Sequence, residues 1–93
     1  MPSIHCLIHG RVQGVGFRYF VGSQAKRLGL SGWVRNLPTG EVELGISGTT
    51  QQIETMIERL KMGPRLAHVD RVDVDWSEGE AAEPEVGRGD FQF

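Results

Sequence analysis

The order of the first secondary-structure elements is set by residues 3–29, SIHCLIHGRVQGVGFRYFVGSQAKRLG. Apolar residues alternate at the start of this stretch, which predicts a strand over residues 3–9. The residues on its apolar face are Ile4, Cys6 and Ile8. A loop from Gly10 to Gly16 follows. From Phe17 onward the apolar residues recur at spacings of three and four, which predicts a helix ending at Gly29.

Three further strands are predicted in the remaining sequence. They cover Leu30–Leu37, Glu41–Ser47 and Val69–Trp76. The first two are joined by a proline and a glycine within residues 38–40, which favours an antiparallel hairpin. The last residues, Asp90–Phe93, have two phenylalanines on one face and predict a short edge strand.

A second helix is marked more clearly than any other element. Its apolar residues fall at i, i+3, i+4 and i+7. They are Ile53, Met56, Ile57 and Leu60. Thr49 with Gln52 three residues later is typical of a capping box, and Gly63-Pro64 ends the helix.

The resulting order is β-α-β-β-α-β with a short C-terminal strand. This order predicts an α+β, ferredoxin-like sandwich, with two helices on one face of a mostly antiparallel four-stranded sheet. The chain has 93 residues, of which 39% are hydrophobic, enough for one modest core. We therefore expect a single domain over residues 1–93. The fold alone does not indicate a function, because unrelated activities share it.

Charge is distributed unevenly along the chain. Residues 1–40 contain five basic and no acidic residues, whereas residues 41–93 contain five basic and twelve acidic ones. Part of the acidic excess lies in a glycine- and glutamate-rich loop predicted at residues 77–89. A basic half that also holds the glycine-rich loop favours a small anionic ligand, although a chance imbalance is the alternative.

Composition also bears on location. No apolar run approaches the roughly 20 residues that cross a bilayer, and the first residues lack a basic segment leading into an apolar one. We expect a soluble, cytoplasmic protein, a monomer without membrane or nucleic-acid partners. The lone Cys6 has no partner for an internal disulfide and is expected to be buried.

The loop before the first helix has the features of an anion site. Gly14 and Gly16 can turn successive backbone N–H groups inward, and the helix that follows adds its own N-terminal N–H groups. Arg18, in the first turn, carries a planar fork of donors suited to two phosphate oxygens. The residues alone leave open a second interpretation, in which the glycines only form a tight turn and Arg18 is solvated.

Other sites are poorly supported by the sequence. The loop lacks the glycine pattern of nucleotide-binding motifs. His5 and His9 share a strand face but are about 13 Å apart at strand rise, too far to bind one metal ion. Asp73 and Asp75 are interpreted as solvated residues of one strand face, and Trp33 and Trp76 as core or rim residues.

Two parts of the chain resemble the signature segments of the acylphosphatase family. They are Gly10–Arg18 (GRVQGVGFR), and Gly32–Asn36 (GWVRN) followed by Gly40–Glu43 (GEVE). The resemblance extends over nearly the whole chain. It implies hydrolysis of acyl phosphates, a ferredoxin-like fold, and no metal or cofactor.

The resemblance also implies the roles of individual residues. Arg18 and Asn36 are the implied catalytic residues, Arg18 binding the phosphate and Asn36 orienting the attacking water. The implied substrate-binding residues are Gln13, Gly14, Val15, Gly16, Phe17 and Arg18. Inorganic phosphate or sulfate is expected to fit the same place. Taken without the resemblance, Asn36 is more typical of a polar residue that ends a strand before a turn.

Two alternatives remain at the level of sequence. One is an acylphosphatase-like domain that handles carbamoyl phosphate within a larger maturation system. The other is a non-catalytic RNA-binding module, since sheets of this architecture can stack bases on exposed aromatic residues. The predicted strands disfavour the second, because the first carries no Phe, Tyr or Trp and the fourth places Asp73 and Asp75 around Trp76.

Overall fold

A computed structural model describes residues 1–79 and 91–92. Within them the elements are β1 (Pro2–Arg11), α1 (Phe17–Leu28), β2 (Ser31–Asn36), β3 (Val42–Ser47), α2 (Thr50–Met62), β4 (His68–Glu78) and β5 (Phe91–Gln92). The sheet order is β4-β1-β3-β2-β5; neighbouring strands are antiparallel except β2 and β5, which are parallel. The predicted ferredoxin-like architecture is confirmed, with the short C-terminal strand at the edge beside β2.

The core lies between the two helices and one face of the sheet. The strands contribute the alternating residues predicted to be apolar, and the helices contribute their apolar stripes. The fully buried side chains include Ile4, Cys6 and Ile8 of β1, Leu44 and Ile46 of β3, Val21 of α1, and Ile53, Met56 and Leu60 of α2. Burial of each large apolar side chain stabilises the fold by about 1.5–3 kcal/mol.

The helix ends are formed as the sequence predicts. Thr49 Oγ1 accepts a hydrogen bond from the Gln52 backbone N–H at 3.1 Å, and the Thr49 N–H donates to Gln52 Oε1 at 2.8 Å. This capping box begins α2, and Gly63 ends it. Helix α1 ends at Gly29, whose φ of 73° is left-handed. Neither helix of the described part is long and apolar enough to cross a membrane.

Some predicted boundaries are wrong. Strand β1 does not stop at residue 9 but continues through Arg11, so the loop before α1 begins at Val12. The extension pairs with β4 through a register shift at Gly10, whose φ is 129° and where a Cβ would lie 2.1 Å from the His68 carbonyl oxygen. This is a backbone-to-backbone contact that leaves no hydrophobic pattern in the sequence.

The C-terminal predictions are tested only in part. Residues 77 and 78 belong to β4 and not to a loop. Residues 80–89 of the predicted acidic loop, together with Asp90 and Phe93 of the predicted last strand, lie outside the described residues. Strand β2 is also shorter than predicted by one residue at each end.

The two tryptophans lie on different faces of the sheet. Trp33 is 4% exposed and alternates with the core residue Val34, so it lies on the face away from the helices. Gly45 lies beside it on β3, and a Cβ there would lie 2.7 Å from Trp33 Nε1. Trp76 lies opposite the core residue Ile4 of β1, on the face that the helices cover, and is 47% exposed.

Candidate active site

The loop between β1 and α1 has the backbone conformation that an anion cradle requires. Gly14 and Gly16 have φ values of 74° and 79°, in the left-handed region that glycine adopts without strain. Gly16 is also the N-cap of α1. Left-handed residues at alternate positions of a turn can direct successive backbone N–H groups toward one side of the loop.

The N-cap residue of α1 is a glycine and so has no side chain with which to cap the helix. Gly16 offers no capping hydrogen bond, and the first turn contains no acidic residue. The other helix, α2, begins with a complete capping box. The two helices of the described residues therefore differ in whether a side chain caps their first turn. Gly16 and the first turn of α1 therefore supply no capping carboxylate or hydroxyl to the N–H groups at this positive dipole end, an arrangement suited to an anion.

A cavity of about 300 Å³ lies at this helix start. Its lining residues are Val12, Gly14, Gly16, Phe17, Arg18, Tyr19 and Asn36. The predicted pair, Arg18 and Asn36, thus meets in one cavity although 18 positions separate the two residues. Arg18 is exposed, which leaves its guanidinium accessible to a ligand.

Asn36 reaches the cavity because of its place in the sheet. It is the last residue of β2, paired with Val42 of β3, and it lies on the same face as the buried Val34. That face is the one covered by the helices. The carboxamide of Asn36 is thus presented at the end of the core, next to the start of α1.

The remaining predicted residues divide into two groups. Gly14, Gly16 and Phe17 line the cavity. The Phe17 side chain is only 2% exposed and belongs to the core, so its backbone is the part available to an anion. Gln13 and Val15 belong to the loop but not to the lining residues of the cavity. The Gln13 side chain instead donates to the carbonyl oxygens of Leu37 and Glu41.

Two lining residues were not predicted from sequence, Val12 and Tyr19. Val12 is 1% exposed, so it forms part of the apolar wall of the cavity. Tyr19 is 73% exposed, a large aromatic surface at the mouth of the cavity. A signal for Tyr19 did exist, because the apolar periodicity of α1 passes through Phe17, Phe20 and Val21 and leaves Tyr19 on the outward face directly after Arg18.

On the outer sheet face, His5 and His9 form hydrogen bonds with carboxylates of neighbouring strands. His5 Nε2 lies 2.7 Å from Glu43 Oε2, and His9 Nε2 lies 2.9 Å from Asp73 Oδ2. Arg71 also binds Asp73, with Nε 2.9 Å from Oδ1. Within residues 1–79 and 91–92, no three His, Cys, Asp or Glu side chains are placed to hold a metal ion.

Most of the chain matches a known protein family. The family model described as acylphosphatase matches residues 4–92. The chain belongs to the acylphosphatase family. Among curated acylphosphatases, that of Thiobacillus denitrificans is 50% identical over 80 residues, which cover 86% of this chain and 90% of the relative.

Solved structures agree with this family. The crystal structure of acylphosphatase from Bacillus subtilis has a TM-score of 0.89 and 34% identity, and covers 99% of this chain and 97% of that one. The structure of T. kodakarensis HypF has a TM-score of 0.76 and 34% identity over 99% of this chain, but only 12% of that longer one. The predicted enzyme, an acylphosphatase acting on small acyl phosphates, is confirmed at the level of the family.

Proposed function

We propose that this acylphosphatase binds the phosphate of its substrate with Arg18 and with backbone N–H groups of residues 13–18, and that Asn36 orients the attacking water. One observation carries the proposal: Arg18 and Asn36 line the same cavity as the left-handed glycines at the uncapped start of α1. Fixed positive charge and oriented N–H groups stabilise the charge on the equatorial phosphate oxygens in the transition state.

The bond changes in this reaction balance without a cofactor. The water oxygen forms a bond to phosphorus, and the bond between phosphorus and the acyl oxygen breaks. The leaving group departs as a carboxylate, which is stable at neutral pH because its pKa is about 4 to 5. The water proton passes to a phosphate oxygen, and the products are a carboxylate and inorganic phosphate.

Asn36 acts by position and not as a base in this scheme. A carboxamide oxygen accepts a hydrogen bond from water but does not remove its proton at neutral pH. Holding water in line with the leaving group lowers the entropic part of the activation barrier. Because the anhydride bond is already activated, the ordering of this water is the part of the barrier that Asn36 can lower.

Single substitutions test the two roles. Arg18→Ala is expected to lower kcat/KM for benzoyl phosphate by about 100- to 1000-fold, the range found when one transition-state donor is removed. Asn36→Ala is expected to lower kcat by a similar factor of about 100 or more while KM changes little, because water positioning affects the transition state.

The matched control is Arg27→Ala, which removes an exposed arginine from the last turn of the same helix. It should retain the kcat and KM of the unaltered protein. Full activity in Arg18→Ala, or a loss in Arg27→Ala as large as that in Arg18→Ala, would contradict the assigned phosphate site.

We also propose that the reaction needs no metal ion. One assay with several substrates tests this point together with the substrate range. Activity toward benzoyl, acetyl and carbamoyl phosphate is expected to persist in excess EDTA. Carbamoyl phosphate is included because a carbamoyl-phosphate-handling domain is one of the alternatives that the sequence leaves open. A strong preference for it over the other two would favour the alternative of a carbamoyl-phosphate-handling domain.

The proposal also covers the location, oligomeric state, domain organisation and inhibition of the protein. We infer a cytoplasmic monomer in which residues 1–93 fold as one domain, and whose site accepts inorganic phosphate or sulfate as a competitive inhibitor. Light scattering, fractionation of cells, a single cooperative unfolding transition and inhibition kinetics check these four points separately.

A further inference from the structure

The side chain of Gln13 ties the phosphate loop to the β2–β3 hairpin. Its Nε2 donates one hydrogen bond to the Leu37 carbonyl oxygen at 2.7 Å and a second to the Glu41 carbonyl oxygen at 3.0 Å. Both N–H groups of the carboxamide are therefore used. The amide orientation follows from chemistry, because the opposite assignment would place Oε1 against two carbonyl oxygens.

The two acceptors form the neck of the hairpin turn, and each already has a partner there. The Leu37 N–H donates to the Glu41 carbonyl at 2.9 Å, and the Gly40 N–H donates to the Leu37 carbonyl at 3.1 Å. Strands β2 and β3 are also paired in register from Ser31 to Asn36. The turn is thus closed without Gln13, whose side chain adds a link between separate segments.

The link is made one residue away from each half of the site. Gln13 directly precedes Gly14, which lines the cavity, and Leu37 directly follows Asn36, which lines it from the other side. A displacement of about 1 Å between reacting groups can cost a factor of about 100 in rate. Hydrogen bonds made one residue away from Gly14 and from Asn36 limit the displacement of these two residues relative to each other.

We propose that Gln13 is a positioning residue that holds Asn36 in register with the bound phosphate. This inference rests on the proposed function, in which Asn36 orients the attacking water. The Gln13 side chain is directed to the hairpin and is not among the residues that line the cavity. Its effect passes through the Leu37 and Glu41 carbonyls to the neighbouring carboxamide of Asn36.

The test replaces Gln13 with methionine, an unbranched side chain of similar length without N–H donors. Gln13→Met is expected to lower kcat for benzoyl phosphate by about 10- to 100-fold, the cost of a misplaced reacting group. The inhibition constant of inorganic phosphate should change less than about threefold. Arg18 binds the phosphate from α1, and this binding does not require the contact between Gln13 and the hairpin.

A matched control removes another partly buried glutamine hydrogen bond. Gln24 on α1 accepts from Arg59 Nη1 on α2 at 2.7 Å and is not among the residues that line the active-site cavity. Gln24→Met should leave kcat within about twofold, as expected of a change that removes no transition-state interaction. A kcat loss in Gln24→Met equal to that in Gln13→Met would show that both act through general stability, and would overturn the inference.

A double-mutant cycle separates this inference from the proposed function. If Gln13 acts through Asn36, Gln13→Met lowers kcat in the unaltered protein but causes no further loss in Asn36→Ala. An equal loss in both backgrounds would refute the coupling. Full activity of Asn36→Ala alone would instead refute the role of Asn36 itself.

Gln13→Glu provides a second variant should Gln13→Met fail to fold. It keeps the carbon frame but places a carboxylate against two carbonyl oxygens and so opens the neck. It is expected to lower kcat at pH 7 at least as much as Gln13→Met. Unchanged kcat in this variant would overturn the inference.

Discussion

His5 on β1 and Glu43 on β3 are joined across the outer face of the sheet, with His5 Nε2 2.7 Å from Glu43 Oε2. Arg35 on β2 binds the second oxygen of the same carboxylate, with Nε 2.5 Å from Oε1. Glu43 is the most enclosed member, with a side chain 14% exposed. This carboxylate therefore links three adjacent strands on the face opposite the helices.

The link predicts how stability depends on acid. Burial acts to raise the pKa of Glu43, but hydrogen bonds from His5 and Arg35 and their charge outweigh it, and the net pKa is lowered from the ordinary 4.5. A lowered pKa in the folded state means stabilisation that is complete above about pH 4.5 and is lost as pH falls through the folded-state pKa. We expect the free energy of unfolding to fall less between pH 6 and pH 3 in Glu43→Gln than in the unaltered protein.

Urea unfolding at the two pH values measures this difference. Glu54→Gln, on the exposed side of α2, is the control for removing one carboxylate. An acid-dependent loss of stability as steep in Glu43→Gln as in Glu54→Gln would contradict the assignment.

Cys6 is predicted to be unreactive while the protein is folded. It is fully buried in the core, and burial, with a smaller effect of Asp75, raises the pKa of its thiol to about 12. The thiolate is the reactive form, so alkylation by iodoacetamide at pH 8 requires unfolding. Mass spectrometry should show labelling at the unfolding rate, and rapid labelling in urea. Labelling in buffer as fast as that of a free cysteine would contradict this burial.

Left-handed glycines at the two ends of α1 offer a further test. Gly16 and Gly29 have similar φ values, 79° and 73°, so alanine at either position costs about 1–2 kcal/mol of stability through backbone strain. Gly16→Ala is expected to weaken inhibition by phosphate as well, because relief of the strain would turn loop N–H groups away from the cavity. Gly29→Ala should lose stability only. Equal phosphate inhibition in the two variants would count against a backbone cradle.

Much of the fold could be predicted because its signals are local. Alternation in β1, the i, i+3, i+4 pattern of α2 and the Thr49 capping box each depend on residues close in sequence, and all are confirmed. The extension of β1 past residue 9 could not be predicted. It depends on Gly10 approaching the His68 carbonyl, a contact between segments almost sixty residues apart.

For the candidate site, the sequence and its resemblance single out Arg18, Asn36 and the loop glycines, which line one cavity, but they do not give the orientation of side chains. The sequence indicates that the Gln13 segment forms a loop, but a polar side chain there can face a ligand or a backbone carbonyl, and only the packed hairpin decides between them. Trp33 shows the same limit, since its burial over Gly45 depends on which residues face each other across β2 and β3.

Tyr19 is expected to select among acyl groups. It is 73% exposed at the mouth of the cavity, beside Arg18, so an acyl group extending outward from a bound phosphate would meet its ring. Contact between two aromatic rings contributes about 0.5–1.5 kcal/mol, or up to about tenfold in kcat/KM. Tyr19→Ala should therefore lower kcat/KM for benzoyl phosphate by roughly that factor and leave acetyl phosphate nearly unchanged. Tyr19→Phe keeps the ring and should retain the selectivity, whereas equal losses for both substrates in Tyr19→Ala would mean that the tyrosine shapes the phosphate site and not the acyl site.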